Sequence, residues 1–207
     1  WNGKTFISRL GNPFYAPEWF TKDLPETPLD GELWGGRKKF QRTVGIVKRQ
    51  DKSDHWKEIK YLVFDAPSQD GGFEARMEHA RALLGQLKPE WALVHDHERC
   101  SGVHHLKTEL ARVESLGGEG LMMRKPGSRY EAGRSSSLLK VKTFHDAEGI
   151  VVNHHAGAGK HKGRLGALLV QMPNVKQFSV GTGFTDAERN SPPAVGTVIT
   201  YRFQELS

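Results

Sequence analysis

The sequence predicts an α+β protein in two parts, a region where strands alternate with helices followed by a region of short strands. Two observations predict it. Apolar residues recur at helical spacing over 73–87 and 103–116, between short apolar runs such as YLVF and WALV. Beyond about residue 145 that spacing disappears, and GIVVNHH, LGALLVQM, KQFSVG and TVITYRF are separated by Gly-rich and Pro-rich turns, the pattern of a small barrel. The expected domains are therefore residues 1–144 and 145–207.

Asn2-Gly3 is a turn dipeptide, so KTFISR, residues 4–9, is expected as a strand beyond it. LGNPFYAPEWFTKDLPETP, rich in proline and aromatics, reads as an irregular connection with one short helical turn. In PLDGELWGG an extended chain sets Leu29, Gly31 and Leu33 on one face and Asp30, Glu32 and Trp34 on the other. Residues 38–48 are compatible with a helix, and YLVF, 61–64, is a strand ended by Asp65, Pro67 and Gly71. One helix should align Phe73, Met77, Ala80, Leu84 and Leu87. A second should align Val103, Leu106, Leu110, Val113 and Leu116 before the stop at Gly117-Gly118. WALV is a short strand between them, and EGLMMRK and SLLKVKTF are strands flanking the polar loop PGSRYEAGRSS. The stretch TGFTDAERNSPPAVG, before the last strand, reads as a turn segment.

A chain of 207 residues can bury a real core. Its net charge of +6 is compatible with a polyanionic partner, although many ordinary proteins carry as much. The single cysteine, Cys100, excludes an intrachain disulfide framework and a cysteine-built metal site. No run approaches the roughly 18 apolar residues of a membrane span. The opening WNGKTF has no initiator methionine and the closing TVITYRFQELS stops just after a strand-like run, so the expectation is a part of a longer protein.

Alternation in LLKVKTF puts Lys140 and Lys142 on one strand face, with Leu139 and Val141 on the other. Two ammonium groups in a cleft call for an anion, and phosphate suits lysine, a compact point charge. A solvated strand face with incidental lysines is the plain alternative. LDGELW adds Asp30 and Glu32 on a shared face, and GGEGLMMRK adds Glu119 ahead of Arg124 and Lys125. Carboxylates beside a phosphate site can orient magnesium or hold ribose hydroxyls; in an ordinary strand they would simply form ion pairs.

Taken in order, ISRLGNPF, LDGELW, YLVFDAP, EGLMMRKPGS and LLKVKTFHDAE resemble the motifs of the small bacterial ATP-dependent DNA ligases over nearly the whole chain. The resemblance implies an ATP-grasp-like nucleotidyltransferase core of mixed and antiparallel sheets with helices, followed by part of an oligonucleotide-binding (OB) barrel. It implies sealing of 5′-phosphate/3′-hydroxyl nicks through lysyl-AMP and DNA-adenylate, with ATP/AMP and Mg2+ as cofactors. The expected partner is nicked double-stranded DNA, bound by a monomer that does not use a membrane, in either the bacterial periplasm or the cytoplasm. By position, Glu32 matches the glutamate of the ribose and metal site, Phe64 the aromatic on adenine, and Glu119 a metal carboxylate. Lys140 and Lys142 match the phosphate lysines, and Arg9 a residue on nucleotide or nick phosphate.

The family's Lys-x-Asp-Gly nucleophile is not in residues 1–207, since Pro28 stands two positions before Asp30-Gly31. Its lysine is expected just upstream of Trp1, and a final basic motif beyond YRFQEL, so these residues alone are not expected to self-adenylate. Lys160, Lys162 and Arg164 in AGAGKHKGR, with Lys38, Lys39 and Arg42, are candidate DNA-backbone contacts. His154, His155 and His161 are read as neutral surface or DNA-facing groups rather than metal ligands. The alternatives are an RNA ligase, a capping-type nucleotidyltransferase, or a non-catalytic nucleic-acid-binding fragment. Against the last, Glu32 and Glu119 would oppose DNA charge unless paired or metal-bound.

Overall fold

In the computed structural model, which describes residues 1–204, the chain forms two units, Trp1–Lys142 and a second beginning at Thr143. In the first, the Asn2 side chain accepts from the backbone N–H groups of Lys4 (3.0 Å) and Thr5 (2.8 Å). With a second turn closing Ser8 onto Asn12, only Phe6–Ile7 of the expected strand 4–9 remains free to pair. This β1 (Phe6–Ile7) is antiparallel to β2 (Pro13–Phe14). The single helical turn is α1 (Glu18–Thr21).

The main sheet joins β3 (Asp30–Trp34), β4 (Lys60–Asp65) and β5 (Ala92–Val94). Between β3 and β4 lie α2 (Phe40–Val47) and a 3₁₀ turn, Asp54–Glu58; α3 (Phe73–Leu87) connects β4 to β5. That helical crossover makes β4 and β5 parallel, whereas β3 and β4 are antiparallel. After α4 (Val103–Ser115), a separate antiparallel pair follows, β6 (Leu121–Arg124) with β7 (Leu138–Val141).

Aromatics from the irregular N-terminal segment fill the core. Phe6 meets Tyr61 edge-on at 4.8 Å and Phe20 meets Trp56 at 4.9 Å, around buried Leu29, Ile59 and Val63. The α3 stripe of Phe73, Met77, Ala80 and Leu84 is buried as its spacing demands. Leu87, at the last residue of α3, remains 43% exposed. The second expected helix, α4, forms where its spacing places it, but none of its stripe is fully buried, and Val103 and Leu116 are exposed at its ends. Periodicity names the inward face of a helix, but not how completely its neighbours cover it.

The second unit is one antiparallel sheet among the described residues, in the order β10-β9-β8-β11. It comprises β8 (His145–Ala156), β9 (Leu165–Gln171), β10 (Gln177–Val180) and β11 (Val198–Phe203), with Val151, Leu165, Leu168 and Val170 as its core. A short helix, α5 (Asp186–Asn190), replaces part of the expected turn segment TGFTDAERNSPPAVG. Its start is a capping box: Glu188 N–H donates to Thr185 Oγ1 (3.2 Å) and Thr185 N–H to Glu188 Oε2 (2.7 Å). Glu205 and Leu206, the end of YRFQEL, lie outside the described residues.

Candidate functional site

Glu119 sits one residue before Gly120, whose φ of +138° is open to glycine far more readily than to other residues. A side chain at Gly120 would collide with the Val141 carbonyl of β7. This close approach brings Glu119 beside the end of β7, where Lys140 Nζ and Lys142 Nζ each donate to Glu119 Oε2 at 3.3 Å. The two lysines therefore share a side, as their alternation predicts. Their environments differ: the Lys142 side chain is 8% exposed and that of Lys140 53%.

Hydrogen bonds from Lys140 and then Lys142 hold the Glu119 carboxyl below the ordinary glutamate value. Glu32, on β3, moves the other way. Desolvation pushes its carboxyl up, the Glu119 charge adds to the rise and Lys140 opposes it. The two carboxylates and Lys140 thus lie within electrostatic reach of one another, although they come from separate sheets. Phe64 is half-buried on β4, between buried Val63 and Asp65. Glu32 registers against Leu62, and along β4 the partly exposed Leu62 and Phe64 alternate with buried Tyr61, Val63 and Asp65, so Phe64 lies on the Leu62 and Glu32 face even though the ladder is irregular at this point.

This donor set fits magnesium, a hard cation commonly held by one or two carboxylates, retained waters and substrate phosphate. It does not form a dedicated protein cage, since no group of three or more His, Cys, Asp or Glu side chains converges among the described residues.

Arg9 is exposed between β1 and β2 and makes no hydrogen bond or ion pair among the described residues. Lys38 and Lys39 are exposed ahead of α2, and the Lys38 side chain runs over Gly117, two residues before Glu119. Arg42 is bound by Glu58 at 2.6 Å and also meets His55, and the Arg42 hydrogen bond helps draw the Glu58 carboxyl down to about 2. In the second unit, Lys160 and Lys162 are exposed around the 3₁₀ turn Gly159–His161. Arg164 pairs with Asp186 at 3.0 Å and borders a cavity of about 400 Å³ with His154, His155 and Arg189. His154 Nε2 lies 2.7 Å from the Pro193 carbonyl oxygen. Desolvation and the cations Arg189, Arg164 and Lys160 lower the His161 pKa, favouring its neutral ring.

A buried network beside the site was not foreseen. Asp65 accepts from Arg76 Nε (2.6 Å) and Nη2 (3.2 Å), from Arg124 Nη2 (2.9 Å) and from the Ala66 N–H (2.9 Å). Arg76 also donates to the carbonyls of Gly71 (3.0 Å) and Ser128 (2.9 Å). At its margin the Gly127 N–H donates to exposed Glu74 (2.8 Å), and Tyr130 Oη, half-buried, donates to Asp30 Oδ2 at 2.5 Å. Desolvation, then the Asp30 hydrogen bond, pushes the Tyr130 hydroxyl up to about 12, so it is a neutral donor at pH 7. One signal was available in the sequence: Arg76 falls within the apolar stripe of α3, where a cation requires a partner.

Residues 14–142 match the family described as ATP dependent DNA ligase domain, and residues 156–207 the family described as DNA ligase OB-like domain. A DNA ligase of Haemophilus influenzae is 35% identical over 207 residues, covering all of this chain and 76% of that protein. DNA ligase 1 of Methanosarcina acetivorans is 35% identical over 145 residues, covering 56% of this chain and 25% of that protein. A solved structure from a structure-function study of Lig E DNA ligases superposes with a TM-score of 0.88 at 39% identity, over 99% of this chain and 80% of that one. The Chlorella virus DNA ligase-adenylate superposes at 0.57 with 25% identity, over 98% and 80%.

Proposed function

The chain belongs to the ATP-dependent DNA ligase family, and from that premise we propose that residues 1–207 hold the nucleotide, phosphate and DNA contacts of nick sealing. The observation that carries this assignment is the convergence of Lys140 and Lys142 on Glu119, with Glu32 in electrostatic reach. In the proposed cycle a lysine attacks the α-phosphate of ATP and pyrophosphate leaves. AMP then passes to the 5′-phosphate of a nick, and the adjacent 3′-hydroxyl displaces AMP to join the strands. Residues 1–207 contain no Lys-x-Asp-Gly, so they are assigned the binding and charge-stabilising parts rather than the attack.

Each transfer gathers negative charge on phosphate oxygens, which Lys140 and Lys142 would balance from fixed positions. Glu119 gives these lysines an anionic partner, and an incoming phosphate would compete with it for the same ammonium groups. Glu32 and Glu119 would hold Mg2+, whose chemistry is to neutralise phosphate charge. Phe64, on the Glu32 face, would stack on adenine, and Glu32 would also meet the ribose. Arg9 would contact nucleotide or the nick phosphate from its exposed turn.

For DNA, exposed Lys38, Lys39, Lys160 and Lys162 are the proposed backbone contacts. Arg42 and Arg164 would first have to leave Glu58 and Asp186. Backbone contacts favour recognition of duplex structure over base sequence, by a monomer.

Two experiments test the assignment. Titration of residues 1–207 with ATP and Mg2+ should show binding that Lys140→Ala plus Lys142→Ala weakens by about tenfold to a hundredfold, the worth of charge-assisted hydrogen bonds. Unchanged affinity would count against the phosphate site. Joined to a Lys-x-Asp-Gly segment and a complete barrel, the chain should take up radiolabel from ATP and seal nicked DNA. Absence of both covalent AMP and joining would sink the catalytic reading, preference for nicked RNA would redirect it, and preference for GTP would point to capping.

A further inference from the structure

The two carboxylates of the site stand on different sheets. Glu32 is on β3 of the main sheet, while Glu119 precedes β6 of the β6-β7 pair, and no backbone ladder joins those sheets. Side chains join them instead. Arg124 reaches Asp65, Arg76 reaches the Ser128 carbonyl, Glu74 receives the Gly127 N–H, and Tyr130 reaches Asp30. Three of these links end on β4 or α3. The Tyr130 link alone ends on β3, two residues from Glu32.

The start of β3 is also where its ladder is irregular. The register against β4 shifts between Asp30 and Gly31: Gly31 pairs with Val63 and Asp30 with Asp65, which leaves Phe64 as an extra residue of β4 and bends the ladder beside Asp30. Trp1 and Tyr61 hold the backbone of neighbouring Leu29 from within the main-sheet side, and Tyr130, one hundred residues away in sequence, adds the link from the β6-β7 side through a charge-assisted hydrogen bond of 2.5 Å to the Asp30 carboxylate. Its ring is held in turn, 5.9 Å from the buried Arg76 guanidinium.

We propose that Tyr130 is a positioning residue that, through Asp30, sets the separation of the Glu32 and Glu119 carboxylates and so the affinity of that pair for a divalent cation. The proposal rests on the metal-binding reading of Glu32 and Glu119. Tyr130 touches neither nucleotide nor metal in this role. Its hydroxyl works by fixing β3 against the loop that follows β6.

The test uses residues 1–207 and Mn2+, whose free and bound forms are distinguished by electron paramagnetic resonance. Tyr130→Phe keeps the ring and removes the hydroxyl. Expected are Mn2+ binding weakened about fivefold to tenfold, AMP binding without metal unchanged, and a Tm within about 4 °C of the parent. Asp30→Asn, which keeps an acceptor for Tyr130, should lose less Mn2+ affinity than Tyr130→Phe. The double variant should lose less than the sum of the two, because the hydroxyl acts through Asp30, and a fully additive loss would refute that route. Tyr130→Phe that leaves Mn2+ binding intact, or that lowers it only in proportion to a general loss of fold and of metal-free AMP binding, overturns the positioning role. If the parent binds Mn2+ no better than Glu32→Ala, the metal-site reading itself has failed, and the proposal with it.

Discussion

Asp65→Ala should destabilise the first unit more than removal of Arg76, although the two side chains form one ion pair. Asp65 and Arg76 are both fully buried, and the Arg124 side chain is 10% exposed. Deleting Asp65 leaves two desolvated guanidiniums without their anion, which costs about 3–5 kcal/mol for a broken buried pair. Arg76→Met leaves Asp65 bound by Arg124 at 2.9 Å and by the Ala66 N–H at 2.9 Å. What is lost there is chiefly the donors to the Gly71 and Ser128 carbonyls, about 1–3 kcal/mol. The expected gap is therefore about 2 kcal/mol, a factor of roughly 30 in the unfolding equilibrium. Urea unfolding followed by tryptophan fluorescence measures it, because all five tryptophans, Trp1, Trp19, Trp34, Trp56 and Trp91, belong to the first unit. Midpoints should move with the slope m unchanged. An Arg76→Met cost equal to or greater than that of Asp65→Ala would refute the role of Asp65 as the shared anion, as would both variants within about 0.5 kcal/mol of the parent.

Acid should affect the two site carboxylates in sequence. For folding, the Glu119 contribution is present above its ordinary 4.5 and lost as pH falls through its lower folded value; that of Glu32 is present below 4.5 and lost as pH rises through its raised value. Mg2+-dependent nucleotide binding needs Glu32 ionised, so it should decline on acidification while the pH is still above 4.5, and Glu32→Gln should abolish that early decline in a calorimetric pH series. An identical pH profile in the variant would remove Glu32 from the metal site. Lys160→Ala plus Lys162→Ala should weaken DNA binding equally across sequences and reduce the slope of log K against log salt by about 2, as read by fluorescence anisotropy; an unchanged slope would show that neither lysine meets phosphate.

Local pattern was enough for much of the chain. Helical spacing placed α3 on Phe73–Leu87, and alternation put Lys140 and Lys142 on one side. It failed at short elements whose form depends on particular hydrogen bonds. The Asn2 side chain and the Ser8–Asn12 turn cut the first strand to two residues, while a Thr185–Glu188 box made a helix inside a turn-rich stretch. Such bonds are side-chain choices among several local conformations, and composition does not rank them.

For the site, the sequence by itself determined which chemical groups are available and which neighbours share a face, because strand periodicity follows from backbone geometry alone. Glu32, Glu119, Lys140 and Lys142 were legible on that basis together with the order of the motifs. Only the tertiary structure decided that Glu119 receives both lysines, that partial desolvation and the Glu119 charge raise the Glu32 carboxyl, and that Arg76 enters the core to meet Asp65. It alone decided that Tyr130 meets Asp30 across one hundred residues of chain. Desolvation and charge pairing depend on distance in space, which residue spacing does not encode once the chain has turned back on itself.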